Sequence, residues 1–279
     1  MSAPATLDAG LLRAFPLPAL PEDGDKEDRG RALIVGGSAA VPGAALLAGM
    51  AALRAGAGKL QIVTDERVAC PIAIAVPEAR VDAGSPIPHV CEAQSVTVGC
   101  GMDHGPALDR LLAELLECGA ELPLILDATA LGCLPGIDAK VRAWRGGIAL
   151  LPHSREMARL LECEADEVES DPLASARRAA ERYRAVALVK GRISFIAAPD
   201  GRAFRFEGGG IGLATSGSGD VLAGIVGGLA ARGADVLTAT LWGVWLHGEA
   251  GRSLTETVGR VGFLARQIPD LVPGLLESA

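Results

Sequence analysis

Residues 31–64 have the sequence RALIVGGSAAVPGAALLAGMAALRAGAGKLQIVT. The first seven residues are a short apolar run closed by two glycines, which is typical of a buried parallel strand. Pro42 then opens an alanine-rich segment that reaches Leu53, as expected of a helix with proline in its first turn. LQIVT at 60–64 is a second apolar run and predicts another strand. This order of strand, helix and strand favours a parallel sheet with right-handed crossovers.

The same alternation continues along the chain. Further strands are predicted at 95–99, 123–128, 147–152 and 185–191, and helices at 106–118, 154–161, 171–183, 219–231, 235–252 and 262–277. After the last of these strands, two alternating runs flank Pro199-Asp200-Gly201 and predict a β-hairpin. Strands that alternate with helices form a sheet covered on both faces. We therefore expect an α/β protein with a mostly parallel central sheet.

The domain organisation is simple, because no repeat, low-complexity tract or linker divides the chain. Residues 22–30 read EDGDKEDRG, a charged run, so we predict that residues 1–30 are an exposed lead-in and that residues 31–279 form one domain. The N-terminus lacks a basic region followed by an apolar run, and the apolar stretch 38–53 is broken by Pro42. These features predict a cytoplasmic protein without a membrane anchor.

The composition limits the classes of partner. With 279 residues, 49% of them hydrophobic, the chain is long and apolar enough to fold. The 26 Lys and Arg against 34 Asp and Glu leave a net charge of −8, which argues against nucleic acid or an anionic membrane as the main partner. None of the 6 cysteines has CxxC spacing, so we interpret them as reduced packing residues rather than zinc ligands.

The loops that follow the predicted strands are the expected place for chemistry. Parallel α/β sheets bind their ligands beyond the carboxyl ends of the strands. The loops concerned are Gly36–Gly43, Gly99–Gly105, Asp127–Leu131, Pro152–Glu156, Lys190–Ser194 and Gly208–Asp220.

The last of these loops is the most informative. Residues 208–224 read GGGIGLATSGSGDVLAG, in which glycines crowd a loop just before an apolar helix. Such a loop can turn successive N–H groups toward an anion at the positive end of the helix. A transferring phosphoryl group would be stabilised there, and Asp220 in the first helical turn is placed to take the proton of an attacking hydroxyl. The structural alternative is a glycine turn with an acid that favours the helix dipole.

Other nucleotide and catalytic motifs are absent or incomplete. Residues 56–59 (GAGK) resemble part of a P-loop, but Leu60 stands where Ser or Thr is required. No GxGxxG follows the first strand, and GSG at 217–219 is not a GxSxG nucleophile elbow. After another strand, His153 and Glu156 are candidates for the pocket, although Ser154 as helix N-cap explains the same residues structurally. We interpret His247, in the helical GVWLHGEAG, as a packing residue.

Six segments in order resemble the ribokinase-like superfamily, and within it the ADP- or ATP-dependent NAD(P)H-hydrate dehydratases. The family pattern runs GGS…PGA, GPGLG, DADAL, TPHPGE, KGxxT and GGSGDVLAG. The corresponding residues here are Gly36-Gly37-Ser38…Pro42-Gly43-Ala44, Gly99-Cys100-Gly101, Asp127-Ala128-Thr129-Ala130-Leu131, Pro152-His153-Ser154-Arg155-Glu156, Lys190-Gly191-Arg192-Ile193-Ser194 and Gly217-Ser218-Gly219-Asp220-Val221-Leu222-Ala223-Gly224. The resemblance covers about residues 30–275 and implies a ribokinase-like three-layer α/β/α sandwich.

The resemblance implies a repair enzyme, a carbon–oxygen lyase that returns hydrated NADH and NADPH to the intact cofactors at the expense of ADP or ATP, with ADP favoured. By the same resemblance, Asp220 is the base. The implied phosphoryl-holding residues are Gly217, Ser218 and Gly219. The implied substrate contacts are Ala44, Gly101, His153 and Asp220, and the nucleotide contacts are Lys190, Gly191, Arg192, Ile193, Ser194 and Gly219. Mg²⁺ is expected from the phosphoryl chemistry, with no ligands assigned.

The chain departs from the family pattern at several positions. Thr129 replaces the second Asp of DADAL, Arg155 the Gly of TPHPGE and Leu151 its Thr. Ser216 replaces the first Gly of GGSGD, and Gly210 stands where Asn is common. Asp220 and the phosphate-loop glycines are retained, so the resemblance still implies catalysis.

Two other functions share these features. A small-molecule kinase of the same superfamily, acting on a thiazole or pyrimidine alcohol, would use the same GSGD chemistry but leave a stable phosphate ester. A nucleotide-binding protein without turnover would bind ADP or ATP and form no product. In each case the partners are small molecules rather than nucleic acid or membrane. Small-residue helices such as 219–231 also favour a homo-oligomer, for which a tetramer is one candidate.

Overall fold

The computed structural model describes residues 3–19 and 23–279. The strands are β1 (Ala5–Thr6), β2 (Arg31–Val35), β3 (Lys59–Thr64), β4 (Ala79–Ala83), β5 (Ser95–Val98), β6 (Leu124–Leu126), β7 (Ile148–Leu150), β8 (Val186–Val189), β9 (Ile193–Ala197) and β10 (Ala203–Glu207). The helices are α1 (Ala9–Leu12), α2 (Pro42–Arg54), α3 (Glu66–Ala75), α4 (Ile87–Val90), α5 (Pro106–Glu117), α6 (Asp138–Ala143), α7 (Ser154–Leu161), α8 (Ala165–Ser170), α9 (Pro172–Tyr183), α10 (Ser218–Ala231), α11 (Val236–Thr257) and α12 (Val272–Ser278). Short 3₁₀ helices lie at Ala128–Cys133, Ile211–Leu213, Ala265–Gln267 and Pro269–Leu271.

The strands form one sheet in the order β1-β10-β9-β8-β7-β6-β5-β2-β3-β4. β9 pairs in antiparallel fashion with both β8 and β10, and the other pairs are parallel. Helices α2, α10 and α11 bury their apolar side chains on one face of the sheet, and α5, α7 and α9 on the other. The predicted α/β/α sandwich and the hairpin are therefore confirmed, and the parallel strands β2 to β8 end at the same edge.

Helix α10 packs against the sheet and against both α2 and α11, and nearly all of its residues are buried. Its glycines allow the contact with α2. A Cβ on Gly224 would lie 2.1 Å from the carbonyl oxygen of Ala48, and one on Gly228 would lie 2.4 Å from that of Ala52. The small residues therefore serve packing within the chain. The expectation that this helix offers a face to a neighbouring subunit was wrong.

The N-terminal residues differ from the predicted exposed lead-in. β1 adds to the sheet beside β10, and the side chains of Leu7 and Leu12 are buried. The indole of Trp242 donates a hydrogen bond of 2.7 Å to the carbonyl oxygen of Phe15. Leu7, Leu11, Leu12 and Phe15 thus pack on the domain, whereas residues 23–29 are exposed as predicted. Residues 1–2 and 20–22 of this predicted segment lie outside the described residues.

Two further differences concern short elements. α3 and β4 were not predicted. For β4 the reason is that it is a half-exposed edge strand whose sequence, ARVDA, shows little apolar character. The predicted helix at 262–277 is divided into two 3₁₀ turns and α12. Pro269 and Pro273 lack the N–H groups that a continuous helix needs, which explains the interruption. Among the described residues, no helix is long and apolar enough to cross a membrane.

Candidate active site

A cluster of charged and polar side chains lies at the carboxyl edge of the sheet. Asp127 follows β6, Lys190 follows β8, Cys100 follows β5, and Asp220 lies in the first turn of α10. Nζ of Lys190 donates to Oδ1 of Asp127 over 2.7 Å. Ligand atoms of Cys100, Asp127 and Asp220 all lie within 4.8 Å of one another. Four segments that are distant in sequence thus meet where the parallel sheet predicted a ligand site.

The start of α10 is the position predicted for the phosphoryl group, and no side chain caps it. Gly217 precedes the helix with φ +86°, and the Cβ of any other residue there would lie 2.5 Å from Cδ1 of Leu47. α10 has no side-chain cap, so the first-turn N–H groups of Gly219 and Asp220 have no acceptor within their own helix. A Cβ on Gly219 would lie 3.4 Å from Nζ of Lys190, which places this ammonium beside the helix N-terminus.

Ser218 supports this loop from inside the protein. Its side chain is buried, and its hydroxyl lies 2.9 Å from Nε2 of His247. The same ring nitrogen lies 3.0 Å from the carbonyl oxygen of Ser218. Burial lowers the pKa of His247 to about 4, so the ring is neutral near pH 7. The packing role expected of His247 therefore includes a specific contact with the glycine loop, and the Ser218 hydroxyl is already engaged by it.

The pKa values of both Asp220 and Lys190 are raised in the cluster. The pKa of Asp220 is raised to about 6, first by burial and then by the nearby charge of Asp127, against the opposing effects of Cys100 and Lys190. Burial lowers the pKa of Lys190, but the carboxylates of Asp127 and Glu156 outweigh it, and its net pKa is raised. Near neutral pH the site therefore holds an ammonium bound to Asp127 and a carboxylate on Asp220 that is able to accept a proton.

His153 and Glu156 form the N-terminal cap of α7. Nδ1 of His153 accepts from the N–H groups of Arg155 and Glu156 at 3.1 and 3.3 Å, and the Glu156 carboxylate accepts from the N–H of His153 at 2.9 Å. The cap residue is thus His153, where the structural alternative had Ser154. The imidazole side chain is 52% exposed and its Nε2 lies 3.5 Å from Glu156. A backbone bridge between His153 and Lys190 joins this cap to the cluster.

The other predicted substrate contacts, Ala44 and Gly101, lie against each other. Gly101 has φ +63°, and a Cβ there would lie 2.6 Å from Cβ of Ala44. Its carbonyl oxygen accepts from the N–H of Ser38 at 2.7 Å. Ala44 and Ser38 are buried, and the hydroxyl of Ser38 has no partner among the described residues. The loop after β5 and the start of α2 therefore pack closely through small residues, and the predicted contact of Ala44 and Gly101 with substrate stays a prediction.

The predicted nucleotide segment runs from the site to the surface. Lys190 belongs to the buried cluster, whereas the side chain of Arg192 is 86% exposed and lies 3.9 Å from Glu207. Gly191 is exposed, and Ile193 begins β9. The hydroxyl of Ser194 donates to the carbonyl oxygen of Gly191 at 3.4 Å. Of the five residues, the structure brings only Lys190 into the charged cluster.

Three residues in or beside the cluster had no catalytic or binding role in the sequence prediction: Cys100, Asp127 and His247. Asp127 and Cys100 do follow predicted strands, so their place at the carboxyl edge was available from the strand pattern. Their proximity to Asp220 could not be predicted from that pattern, because it depends on how closely the strands and α10 approach each other. For His247, a histidine inside an apolar helix gives no sequence signal that separates packing from support of a loop.

The cluster fits Mg²⁺ poorly as a site built by the protein alone. Mg²⁺ takes oxygen ligands in near-ideal octahedral geometry. Here one of the converging groups is the Cys100 thiol, whose pKa is raised well above its usual value by burial, and Asp127 is already paired with Lys190. Nucleotide sites commonly hold Mg²⁺ largely through phosphates and water. The cation is therefore expected to arrive with the nucleotide.

Thr129 and Leu151, two departures from the family pattern, have clear structural places. The hydroxyl of Thr129 donates a hydrogen bond of 2.8 Å to the carbonyl oxygen of Met102. Leu151 is fully buried in the core. Both side chains therefore stabilise the loops that carry the cluster.

Comparisons with known proteins find relatives that match this chain over nearly its whole length. The chain is 46% identical to the ADP-dependent (S)-NAD(P)H-hydrate dehydratase of Xanthomonas campestris pv. campestris, over 98% of this chain and 96% of the relative. The crystal structure of the ADP/ATP-dependent NAD(P)H-hydrate dehydratase of Bacillus subtilis, co-crystallised with ATP/Mg²⁺, matches with a TM-score of 0.87 at 29% identity, covering 98% of each chain.

The fold is shared more widely. A ribokinase-like superfamily protein from Enterococcus faecalis matches with a TM-score of 0.84 at 24% identity, over 98% of this chain and 95% of that one, which confirms the predicted ribokinase-like fold. The sequence model of one family, NAD(P)H-hydrate dehydratase, matches residues 32–273, nearly the whole chain. By its sequence and its fold, this chain belongs to the NAD(P)H-hydrate dehydratase family.

Proposed function

We propose that this protein catalyses the dehydration of hydrated NADH and NADPH to the intact cofactors, with ADP as the phosphate donor. The observation that carries the proposal is the juxtaposition of Asp220, the Asp127–Lys190 pair and the open N-terminus of α10. The family match supports it, as does the 46% identity to a relative named as ADP-dependent. We infer the roles of Asp220, Lys190 and the start of α10 from this geometry, and those of the other contact residues from the family resemblance.

The chemistry explains why a nucleotide is needed. Hydroxide is a poor leaving group, because water has a pKa of about 15.7. In the proposed first step, the hydroxyl oxygen of the hydrate attacks the terminal phosphorus of ADP, the bond to AMP breaks, and Asp220 accepts the hydroxyl proton. Phosphate, with a second pKa of about 6, then leaves with the C–O electron pair. Loss of a proton from the adjacent ring carbon restores the double bond of the reduced nicotinamide.

The residues around Asp220 would stabilise the phosphoryl group during transfer. The first-turn N–H groups of α10 face the charge that stays on its equatorial oxygens, and Gly217 and Gly219 keep side chains away from it. The Lys190 ammonium, fixed by Asp127, supplies a positive charge beside the same point. We assign the remaining segment Gly191–Ser194 to the nucleotide, and Ala44, Gly101 and His153 to the hydrate.

The decisive test is an absorbance assay at 340 nm with purified protein, NADH hydrate, Mg²⁺ and either ADP or ATP. We expect absorbance to rise with ADP. If the nucleotide acts as its magnesium complex, chelation of Mg²⁺ by EDTA should stop this rise. A stable phosphate ester without a rise would indicate the small-molecule kinase. Thermal stabilisation by nucleotide with no product would indicate a binding protein without turnover.

Cytoplasmic location and a homo-oligomer, with a tetramer as one candidate, stay predictions. Size-exclusion chromatography with light scattering would test the second.

A further inference from the structure

The thiol of Cys100 occupies an unusual position for a buried cysteine. Its residue is fully buried, and its sulfur lies within 4.8 Å of carboxylate oxygens of both Asp127 and Asp220. In the family pattern the corresponding residue is the proline of GPGLG, which has no side-chain donor. Thiols are weak hydrogen-bond donors, and carboxylates accept only. The thiol stays protonated, because burial first and then the charges of Asp220 and Asp127 raise its pKa well above the usual value, so its S–H is available to these oxygens.

The backbone around Cys100 holds the thiol in place. The carbonyl oxygen of Cys100 accepts from the N–H of Gly37 at 2.8 Å, which ties the loop after β5 to the loop after β2. Gly36 permits this approach, because a Cβ there would lie 2.5 Å from the same carbonyl oxygen. On the other side, the N–H of Met102 donates to the carbonyl oxygen of Gly99 at 3.2 Å. These hydrogen bonds fix the backbone of Cys100. Its sulfur lies near Asp220.

We propose that Cys100 is a positioning residue for the proposed reaction, its thiol holding the Asp220 carboxylate in the ionised form and orientation that accept the substrate proton. The inference rests on the proposed function for its catalytic meaning, and on the thiol–carboxylate contact for its physical content. Cys100 itself forms no bond to substrate. Because it is buried and protonated, it is a poor nucleophile.

The other ionisable groups act on Asp220 in both directions. The charges of Asp127 and Glu156 oppose its ionisation, as burial does, whereas Lys190 and the Cys100 thiol favour it. Removal of the thiol leaves Lys190 as the remaining group that favours the carboxylate, so Asp220 should need a higher pH to ionise. The effect on catalysis is a displacement of the acid side of the pH profile.

The first experiment measures kcat between pH 5 and 8 for the natural protein and for Cys100→Ser, Cys100→Ala and Cys100→Val. Ala is smaller than Cys and Val is larger, so a change common to both is not a packing effect. We expect the acid limb of the pH profile to move up by about half a pH unit or more in both apolar variants, because a donor to the charged form of Asp220 is lost. Cys100→Ser keeps a donor and should retain the natural limb. Identical limbs for all four proteins would overturn the proposal.

A second experiment detects the contact without any activity. The raised pKa of Asp220 makes its ionisation unfavourable in the folded protein. Protonated Asp220 therefore stabilises the fold fully below the ordinary pKa of 3.8, and this stabilisation is lost as pH rises through about 6. In Cys100→Ala this loss should extend to higher pH. The pH-dependent difference in free energy of unfolding between the natural protein and Cys100→Ala should vanish when both proteins also carry Asp220→Asn.

The outcomes of this cycle are distinguishable from those of the activity assay. A pH-dependent difference that persists when both proteins carry Asp220→Asn would come from another group, and it would contradict the proposal. Inactivity of the natural protein on the hydrate would refute the proposed function alone, since the stability cycle does not depend on turnover.

Discussion

The N-termini of α7 and α10 both lie at the carboxyl edge of the sheet with an acid in the first turn, and they are used in opposite ways. At α7 the His153 ring and the Glu156 carboxylate accept the free N–H groups, which closes the helix end with the protein's own atoms. At α10 the cap residue is Gly217, no side chain caps the helix, and Asp220 is instead held near Lys190 and Cys100. A satisfied helix end stabilises the fold, whereas an unsatisfied one beside a fixed ammonium can bind an anion.

The largest effect is expected from the acid of the open helix end. Asp220→Asn should lower kcat by at least about 10²-fold, because the proposed base is lost, with little change in nucleotide binding. The fold should not weaken above pH 6, since the substitution removes a carboxylate whose ionisation is disfavoured there. Steady-state kinetics and thermal unfolding at pH 5 and 8 would check both. Near-natural turnover would reject Asp220 as the base.

Lys190→Met removes the ammonium beside the same helix end. We expect kcat to fall by about 10²-fold, because one fixed charge on the transferring phosphoryl group is lost. The single variant also leaves Asp127 buried without its partner, so Lys190→Met combined with Asp127→Asn separates catalysis from stability. Arg145→Met, on a 78% exposed side chain outside the site loops, is the matched control and should retain kcat. If the double variant recovers turnover, the charge of Lys190 is not needed.

Gly219→Ala tests whether the open end must stay uncovered. The added Cβ would lie at ordinary contact distance from Lys190 and Asp127, so the protein should fold while the methyl group occupies the space proposed for phosphate. We expect nucleotide affinity to fall on the order of tenfold, as for the loss of one hydrogen bond to a charged group. Gly274→Ala, in α12 with nothing near its added Cβ, is the control. Isothermal titration with ADP measures both, and equal affinities would contradict an anion site at α10.

The smallest effect is expected at the closed end. His153→Ala should cost about 1 kcal/mol of stability, since the cap of α7 is lost. His153→Asn keeps a good cap residue, so it should unfold close to the natural protein. Chemical denaturation measures the difference. A raised KM for the hydrate in the Asn variant would then report the proposed substrate contact, free of the structural role, and an unchanged KM would leave His153 as a cap alone.

The sequence predicted the secondary structure well where apolar runs are long and bounded by glycine or proline. The strands from β2 to β8 other than β4, and the hairpin β9–β10, follow from such runs. The failures lie where the pattern is weak: β4 is a short edge strand, and the C-terminal segment is broken by prolines. The burial of Leu7 and Leu12 was missed because an apolar residue in a short N-terminal segment has no partner that the local sequence can identify.

The candidate site divides in the same way. Residue type and spacing alone pointed to the glycine loop, Asp220 and the carboxyl edge, because glycine freedom, helix ends and parallel strands are local or topological properties. The Asp127–Lys190 ion pair, the thiol against Asp220 and the contact of His247 with Ser218 join residues far apart in the chain. Distances between side chains on different elements depend on the packing of those elements. Only the tertiary structure could therefore decide which charges face one another and which of the two helix ends stays open.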